Sequence, residues 1–281
     1  MKISQRLQRI NSMISGHYDH IWDCCCDHGL LGMLLLERSA ARHVHFVDCV
    51  PSLMQALELR LQRFFPADIS GLNSHLDPNL DPHLNLDMDP NLSRHTQWQV
   101  HCLDVAALPL EQTSDKDKQL IIIAGVGGEL LVDLVKAILA LHPQRYLEFI
   151  LCPVHHNYYV RQSLTALGLG LKSEHLLEEN QRFYEILHVS TIAAPNGRPI
   201  SATGSLMWQM LDEASLPRAQ RYLSQVIGHY QRMPTHKQTP AIIDAYQQQL
   251  AQLLSEHSKF ECSLAFFSLD ITMGTKDEQL R

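Results

Sequence analysis

His20-Ile21-Trp22-Asp23-Cys24-Cys25-Cys26-Asp27-His28-Gly29 is an apolar strand that breaks into an acid-rich turn. Farther along, Ile121-Ile122-Ile123-Ala124-Gly125-Val126-Gly127-Gly128-Glu129 enters a glycine turn. Each reads as a buried strand that turns just ahead of a helix. In an open α/β sheet such strand ends line the ligand crevice. These two turns therefore anchor both the fold and the search for a site.

Working outward, strand and helix patterns alternate. Ile3, Leu7, Ile10 and Ile14 fall on one face of a helix over 3–14, with Arg6 and Arg9 beside it. Strand 20–23 is followed by helix 29–38, and strand 43–48 by a helix that opens at Pro51 and runs to about Phe65. Asp-Pro then recurs at 77–78, 81–82 and 89–90. A residue before proline is pushed out of helix, so 66–97 reads as an inserted surface loop: a lid, or a neutral expansion of a tolerant loop. Beyond it come strand 98–103, strand 119–124, helix 128–142, strand 147–152, helix 157–167 and an antiparallel hairpin of 171–178 and 183–192. Pro195-Asn196-Gly197 with Pro199 marks a boundary between a domain of 1–198 and one of 199–281. The second domain is expected to hold helices over 203–232 and 240–257 as a helical hairpin, then a tail in which Leu264-Ala265-Phe266-Phe267 docks.

The 281 residues are 45% hydrophobic, enough for a packed core. No apolar run reaches the ~18 residues of a membrane span, and no signal peptide is visible, so a cytoplasmic protein without membrane contact is expected. Seven cysteines, an odd number with three in a row, do not form a disulfide framework and suit a reducing compartment. A net charge of −7 argues against nonspecific coating of nucleic acid. Two local stretches are nonetheless basic and free of acids. Residues 1–18 carry Lys2, Arg6 and Arg9, and residues 214–243 carry Arg218, Arg221, Arg232 and Lys237.

Acids fall in order at the strand ends. Asp23 and Asp27 flank the first, Asp48 ends the second, Asp104 ends the third, and Gly125 follows the fourth. An acid after the second strand can accept from both ribose hydroxyls, one after the third from an adenine amine, and one in the first loop can meet a positive charge. That set suits an adenosine carrying a cationic amino acid, and S-adenosyl-L-methionine leads. Any one of these aspartates could instead cap a helix or form a turn. A pyrophosphate-bearing dinucleotide is disfavoured, because the first loop has one glycine and two acids where G-x-G-x-x-G is needed. A phosphate-binding loop of NTPase type is absent. Cys24, Cys25 and Cys26 with His17, His20 and His28 raise a metal reading, but adjacent cysteines point to alternate sides, and packing is the simpler role. No metal is expected.

The sequence resembles the bacterial TrmK-type tRNA methyltransferases, which methylate N1 of adenine 22. Ile3-Ser4-Gln5-Arg6-Leu7 matches the family's opening. Asp23-Cys24-Cys25-Cys26-Asp27-His28 matches its Asp-x-Gly-Ser-Asp-His motif, and Ala124-Gly125-Val126-Gly127-Gly128 its Ala-Gly-Met-Gly-Gly turn. Glu178-Glu179-Asn180-Gln181-Arg182-Phe183-Tyr184-Glu185 is similar to its Glu-Glu-Asp-Gly-Lys-x-Tyr-Glu segment. Three departures stand out: Cys25 for the motif glycine, Cys152-Pro153-Val154 for Gln-Pro-Asn, and the 66–97 insertion.

The resemblance implies a Rossmann-like class I methyltransferase sheet with a C-terminal α-helical, coiled-coil-like domain, and tRNA held across both. It implies that S-adenosyl-L-methionine contacts Asp23, Cys25, His28, Gly29, Asp48, Cys49, Asp104, Val105, Ala124 and Gly125. Arg6, Arg9, Gly127, Gly128, Pro153, Arg218, Arg221 and Arg232 are expected on the tRNA side, since phosphate contacts need basic groups. Asp27 is the expected catalytic group, stabilising the charge that develops as adenine N1 is methylated, with His28 orienting it. A helix cap is the alternative role for Asp27. A monomer is expected. Rival readings are a methyltransferase for a small molecule or protein, a noncatalytic cofactor- or RNA-binding homologue, and a metal protein built on the cysteines.

Overall fold

The structure, a computed structural model, describes residues 3–66, 97–191, 198–209, 211–212, 214–233 and 239–255. The Asp-Pro insertion, most of the Pro195–Pro199 segment, the turn 234–238 and the tail with its apolar Leu264–Phe267 run lie outside the described residues. Two compact units emerge, Met1–Ala202 and Thr203–Arg281.

The first unit opens with α1 (Gln5–Met13) and then alternates β1 (Tyr18–Cys24), α2 (Leu30–Glu37), β2 (Ala41–Asp48), α3 (Pro51–Phe64) and β3 (Gln97–Cys102). Next come β4 (Gln119–Ala124), α4 (Gly128–Leu141), β5 (Leu147–Cys152), α5 (Asn157–Ala166), β6 (Gly170–Glu179) and β7 (Arg182–Ser190). The strands form one seven-stranded sheet in the order β3-β2-β1-β4-β5-β7-β6. β1 to β5 are parallel, while β7 pairs antiparallel with both β5 and β6. The order reverses between β1 and β4, so the crevice lies at the carboxyl ends of those strands. That is the expected Rossmann-like sheet with its closing hairpin, each element within two residues of its expected bounds.

Parallel strands buried on both faces read as continuous apolar runs, as Leu120–Ile123 does with every residue fully buried. One face is covered by α1, α2 and α3, which bring Ile10, Leu31, Leu35, Leu57 and Leu61 onto Ile21, Val44 and Phe46. Each such side chain contributes roughly 1.5–3 kcal/mol by leaving water. α2 lies unusually close to β2, because a Cβ on Gly32 would stand 2.1 Å from the Phe46 ring.

The other face of β1–β3 is polar. His20, His45 and His101 form a relay, with His20 Nδ1 2.9 Å from His45 Nε2 and His45 Nδ1 3.0 Å from His101 Nε2. Asp117 Oδ2 closes one end, 3.2 Å from His20 Nε2, and Trp22 stacks on His45. Burial, more than any neighbour, lowers the pKa of all three imidazoles. The hairpin is locked to α5 by the fully buried Arg161, which donates to Glu185 at 2.6 Å and pairs with Glu174 at 2.7 Å.

The first unit reaches Ala202 because the segment after β7 is bonded back onto it. Leu171 N donates to Arg198 O, Thr165 Oγ1 to Ile200 O, and Arg161 to Ser201 O. In the second unit a helix over 203–232 was expected, but α6 begins only at Ser215 and runs to Arg232. Gly204 takes the left-handed conformation at φ 91° and Leu206–Trp208 forms a single 3-10 turn, whose indole donates to Thr203 O. A left-handed residue cannot continue an α-helix, so the helical pattern is interrupted there. Helix α7 spans 239–255, and Tyr246 on it stacks against Tyr230 of α6.

Candidate active site at the strand tips

β1 ends at Cys24, and the turn that follows is tight. Cys25 and Asp27 both take positive φ, 54° and 49°. Cys26 N donates to Val47 O and Gly29 N to Cys26 O, which folds the turn against the end of β2. α2 starts from Gly29, which has no side chain to cap it. Asp27 is therefore not the helix cap. It projects from the turn with a side chain 66% exposed, and His28 Nε2 lies 3.7 Å from its Oδ1.

Asp23 behaves differently. It is buried, and its Oδ2 accepts from Gly32 N at 2.9 Å. Burial pushes its carboxyl up to about 7, against the pull of that amide. Asp23 thus holds the first turn of α2 through the Gly32 amide.

The remaining acids gather above it. Asp48 Oδ2 accepts from Asp27 N at 3.2 Å, and Oδ1 from Val50 N at 3.1 Å. Asp104 caps the short 3-10 turn Val105–Ala107 through Ala106 N, and Val105 is buried beneath it. The Cys25 thiol reports their convergence. Burial comes first, then Asp48, Cys49, Asp23 and Asp104 all push it upward, to about 11. Asp23, Asp27, Asp48 and Asp104 thus belong to one region, with Cys25, Cys49, His28 and Gly29. Among the described residues no lysine or arginine pairs with Asp27, Asp48 or Asp104.

The glycine turn after Ala124 forms the adjoining wall. Gly125 N donates to Cys152 O, and Val154 N donates to Val126 O, which ties the turn to the segment after β5. Pro153 is buried within that segment. A Cβ on Gly127 would stand 2.8 Å from His155 Cε1, and one on Gly128 2.7 Å from His155 O. Both positions need glycine for this close approach.

Arg6 of α1 reaches the same wall. Its guanidinium would lie 3.5 Å from a Cβ on Gly125 and sits over the Tyr184 ring at 5.0 Å. α1 is fixed there by Glu179, whose carboxylate accepts from Gln5 N at 2.6 Å and Arg6 N at 3.4 Å. Arg9 is exposed on the same helix. Tyr184 and Glu179 stand in the hairpin motif, but their spacing gave no sign that they would receive Arg6 and α1. Arg218, Arg221 and Arg232 lie along α6 in the second unit, with Arg218 donating to Ser215 Oγ.

A parallel sheet whose order reverses, with carboxylates at three successive strand tips beside a side-chain-poor turn, defines an open α/β domain of Rossmann-like type. The sequence profile of the methyltransferase domain matches residues 3–71 and 91–187, more than half of the chain. The chain belongs to that methyltransferase domain family. No curated protein matches the sequence. Several solved structures share the fold. Sp1610 of Streptococcus pneumoniae, a candidate tRNA (m1A22) methyltransferase in complex with S-adenosyl-L-methionine, is 18% identical, covering 89% of this chain and 100% of its own at a TM-score of 0.59. The tRNA M1A22 methyltransferase TrmK of B. subtilis is 20% identical over 91% of this chain and 98% of its own, at 0.53. TrmK of M. capricolum, bound to S-adenosyl-homocysteine, is 12% identical over 89% and 99%, at 0.55. No helix among the described residues is long and apolar enough to cross a membrane.

Proposed function

We propose that the chain transfers a methyl group from S-adenosyl-L-methionine to N1 of an adenine in tRNA, the position 22 adenine being the first candidate. The observation that carries this reading is the set of solvent-reaching carboxylates at the strand tips, Asp27, Asp48 and Asp104, with no lysine or arginine partner among the described residues. Such a set attracts a ligand that brings its own positive charge. In this reading Asp48 accepts from ribose hydroxyls and Asp104 from an adenine amine, with Cys25, Cys49, His28, Gly29, Val105, Ala124 and Gly125 around the same ligand. Bound there, S-adenosyl-L-methionine supplies an electrophilic sulfonium methyl.

Adenine N1 needs no prior deprotonation, because its lone pair lies in the ring plane. The methylated ring is cationic, and a carboxylate near N6 stabilises that charge as it develops. Asp27 has the exposure for this role, with His28 beside it. N1 lies on the Watson–Crick edge, so the target base must be unpaired or flipped. Val154, exposed and bonded to the glycine turn, offers an apolar surface to such a base. Arg6, Arg9, Arg218, Arg221 and Arg232 supply the cationic groups that a phosphate backbone requires. The six free cysteines of the described residues suit a cytoplasmic setting, where such a substrate is found.

The test is methyl transfer from labelled donor to unmodified bacterial tRNA transcripts, with the product mapped by primer extension. A stop at one adenine that Asp27→Ala abolishes, while donor binding persists, supports the reading. Transfer only to proteins or small molecules overturns it. Cys25, a side chain at a left-handed position where the family has glycine, favours a second reading as a noncatalytic binding homologue. Donor binding without turnover on any tRNA would select that one.

A further inference from the structure

Beside the glycine turn, three exposed side chains converge that methyl transfer does not use. Glu129 is the second residue of α4, while His155 and His156 follow Val154 between β5 and α5. Glu129 Oε1 meets His156 Nδ1, and Glu129 Oε2 lies 3.8 Å from His155 Nδ1. One ligating atom from each residue lies within 4.8 Å of the others, and no other such trio occurs among the described residues. The two imidazoles pack edge to face at 4.3 Å.

The backbone builds this arrangement. The Val154 N to Val126 O bond fastens the loop to the turn, and His156 takes φ 62° as it opens α5. Glycine at both 127 and 128 is what lets His155 come so close. The cluster is thus a product of the loop's seating rather than of two long side chains meeting by chance in solvent. Two imidazoles and one carboxylate are the donor set of open zinc sites, which keep a further coordination position.

We propose that Glu129, His155 and His156 bind a divalent late-transition cation such as Zn2+ at the rim of the crevice, leaving one position for water or an anionic oxygen. The location gives the ion a consequence: it would stand beside Gly127 and Gly128, where a polyanionic substrate is expected to pass.

The test uses the purified full-length chain, stripped with chelator and titrated with Co2+ and with Zn2+. Co2+ in a nitrogen and oxygen site gives weak visible bands without the intense near-ultraviolet band of thiolate ligation, which separates this site from the cysteines. Wild type is expected to take up one more equivalent than Glu129→Gln or His156→Ala, and the visible bands are expected to vanish in both variants. Circular dichroism checks that each variant folds, and the near-isosteric Glu129→Gln keeps the test valid if His156→Ala does not. Equal uptake by wild type and variants overturns the proposal, as does a spectrum of thiolate type alone. The titration needs neither tRNA nor methyl donor, so its failure and that of the proposed function are separable.

Discussion

The amide of Asp27 donates to Asp48 Oδ2 at 3.2 Å, so the carboxylate at the tip of β2 holds the turn that follows β1. Its other oxygen accepts from Val50 N and steadies the entry to α3. One side chain thereby organises two loops of the crevice. Asp48→Ala should weaken S-adenosyl-L-methionine binding about ten- to a hundredfold, the loss of a charge-assisted hydrogen bond. Asp48→Asn should lose less, since its amide oxygen still accepts. Titration calorimetry decides, and an unchanged Kd for Asp48→Ala would remove that residue from the site.

Cys25 holds a left-handed conformation that costs a residue with a Cβ roughly 1 kcal/mol. Cys25→Gly relieves it, and should raise Tm by about 2–4 °C for a chain of this size. It also opens the approach between backbone and donor, so calorimetry should show tighter S-adenosyl-L-methionine binding. Weaker or unchanged binding would show that the thiol does not crowd the cavity.

The β6–β7 hairpin turns through Asn180 and Gln181, both at positive φ, 51° and 63°. A two-residue turn of that kind favours asparagine then glycine. Gln181→Gly should stabilise the protein by about 1 kcal/mol, read as a shift of the urea midpoint at constant slope. A lower midpoint would mean the turn is not left-handed at Gln181.

The His20–His45–His101 relay should cost the fold stability as pH drops from 7 to 5. His20, His45 and His101 have pKa values below the ordinary ~6.5 in the folded state, so the unfolded chain binds protons more readily. Their contribution is fully present above pH ~6.5 and is lost as pH falls below it. Asp23 acts in the opposite sense: raised to about 7, it favours the fold most at low pH and loses that contribution as pH rises from ~4 to 7. The imidazoles and the carboxyl therefore oppose one another over this range, and removing either side exposes the other. Urea midpoints across this range should flatten in His45→Phe and steepen in Asp23→Asn; unchanged slopes would show that the relay is not what titrates.

The sheet was legible because β4 is an apolar run, the other strands alternate with helical patterns, and the strand-end turns carry acids or glycine. Order along the chain even placed Asp48 and Asp104 near Cys25. The burial of Asp23 under α2 was not legible, since a strand-end acid looks the same in sequence whether it is exposed or bonded to a helix amide. The start of α6 was missed because Leu206–Trp208 continues an apolar pattern, while the left-handed Gly204, the extended Gln209 and Asp212, which accepts from Ser215 N, set the break. Arg6 over Tyr184 and the Glu129–His155–His156 cluster join distant segments, and no local periodicity encodes them.

Glu179 and Tyr184 receive α1 and Arg6, so the first helix of the chain is seated by the last hairpin of its unit. A ribosome delivers these partners at opposite ends of the first unit's synthesis. A nascent chain that has emerged only as far as β5 can pack α1 beside α2 through Ile10 and the bonds from Arg38 to Asn11 and Ile14, yet its Arg6 has no ring to rest on and its first turn no carboxylate. The final seating of Arg6 and of the first turn of α1 is thus deferred until the hairpin has left the exit tunnel.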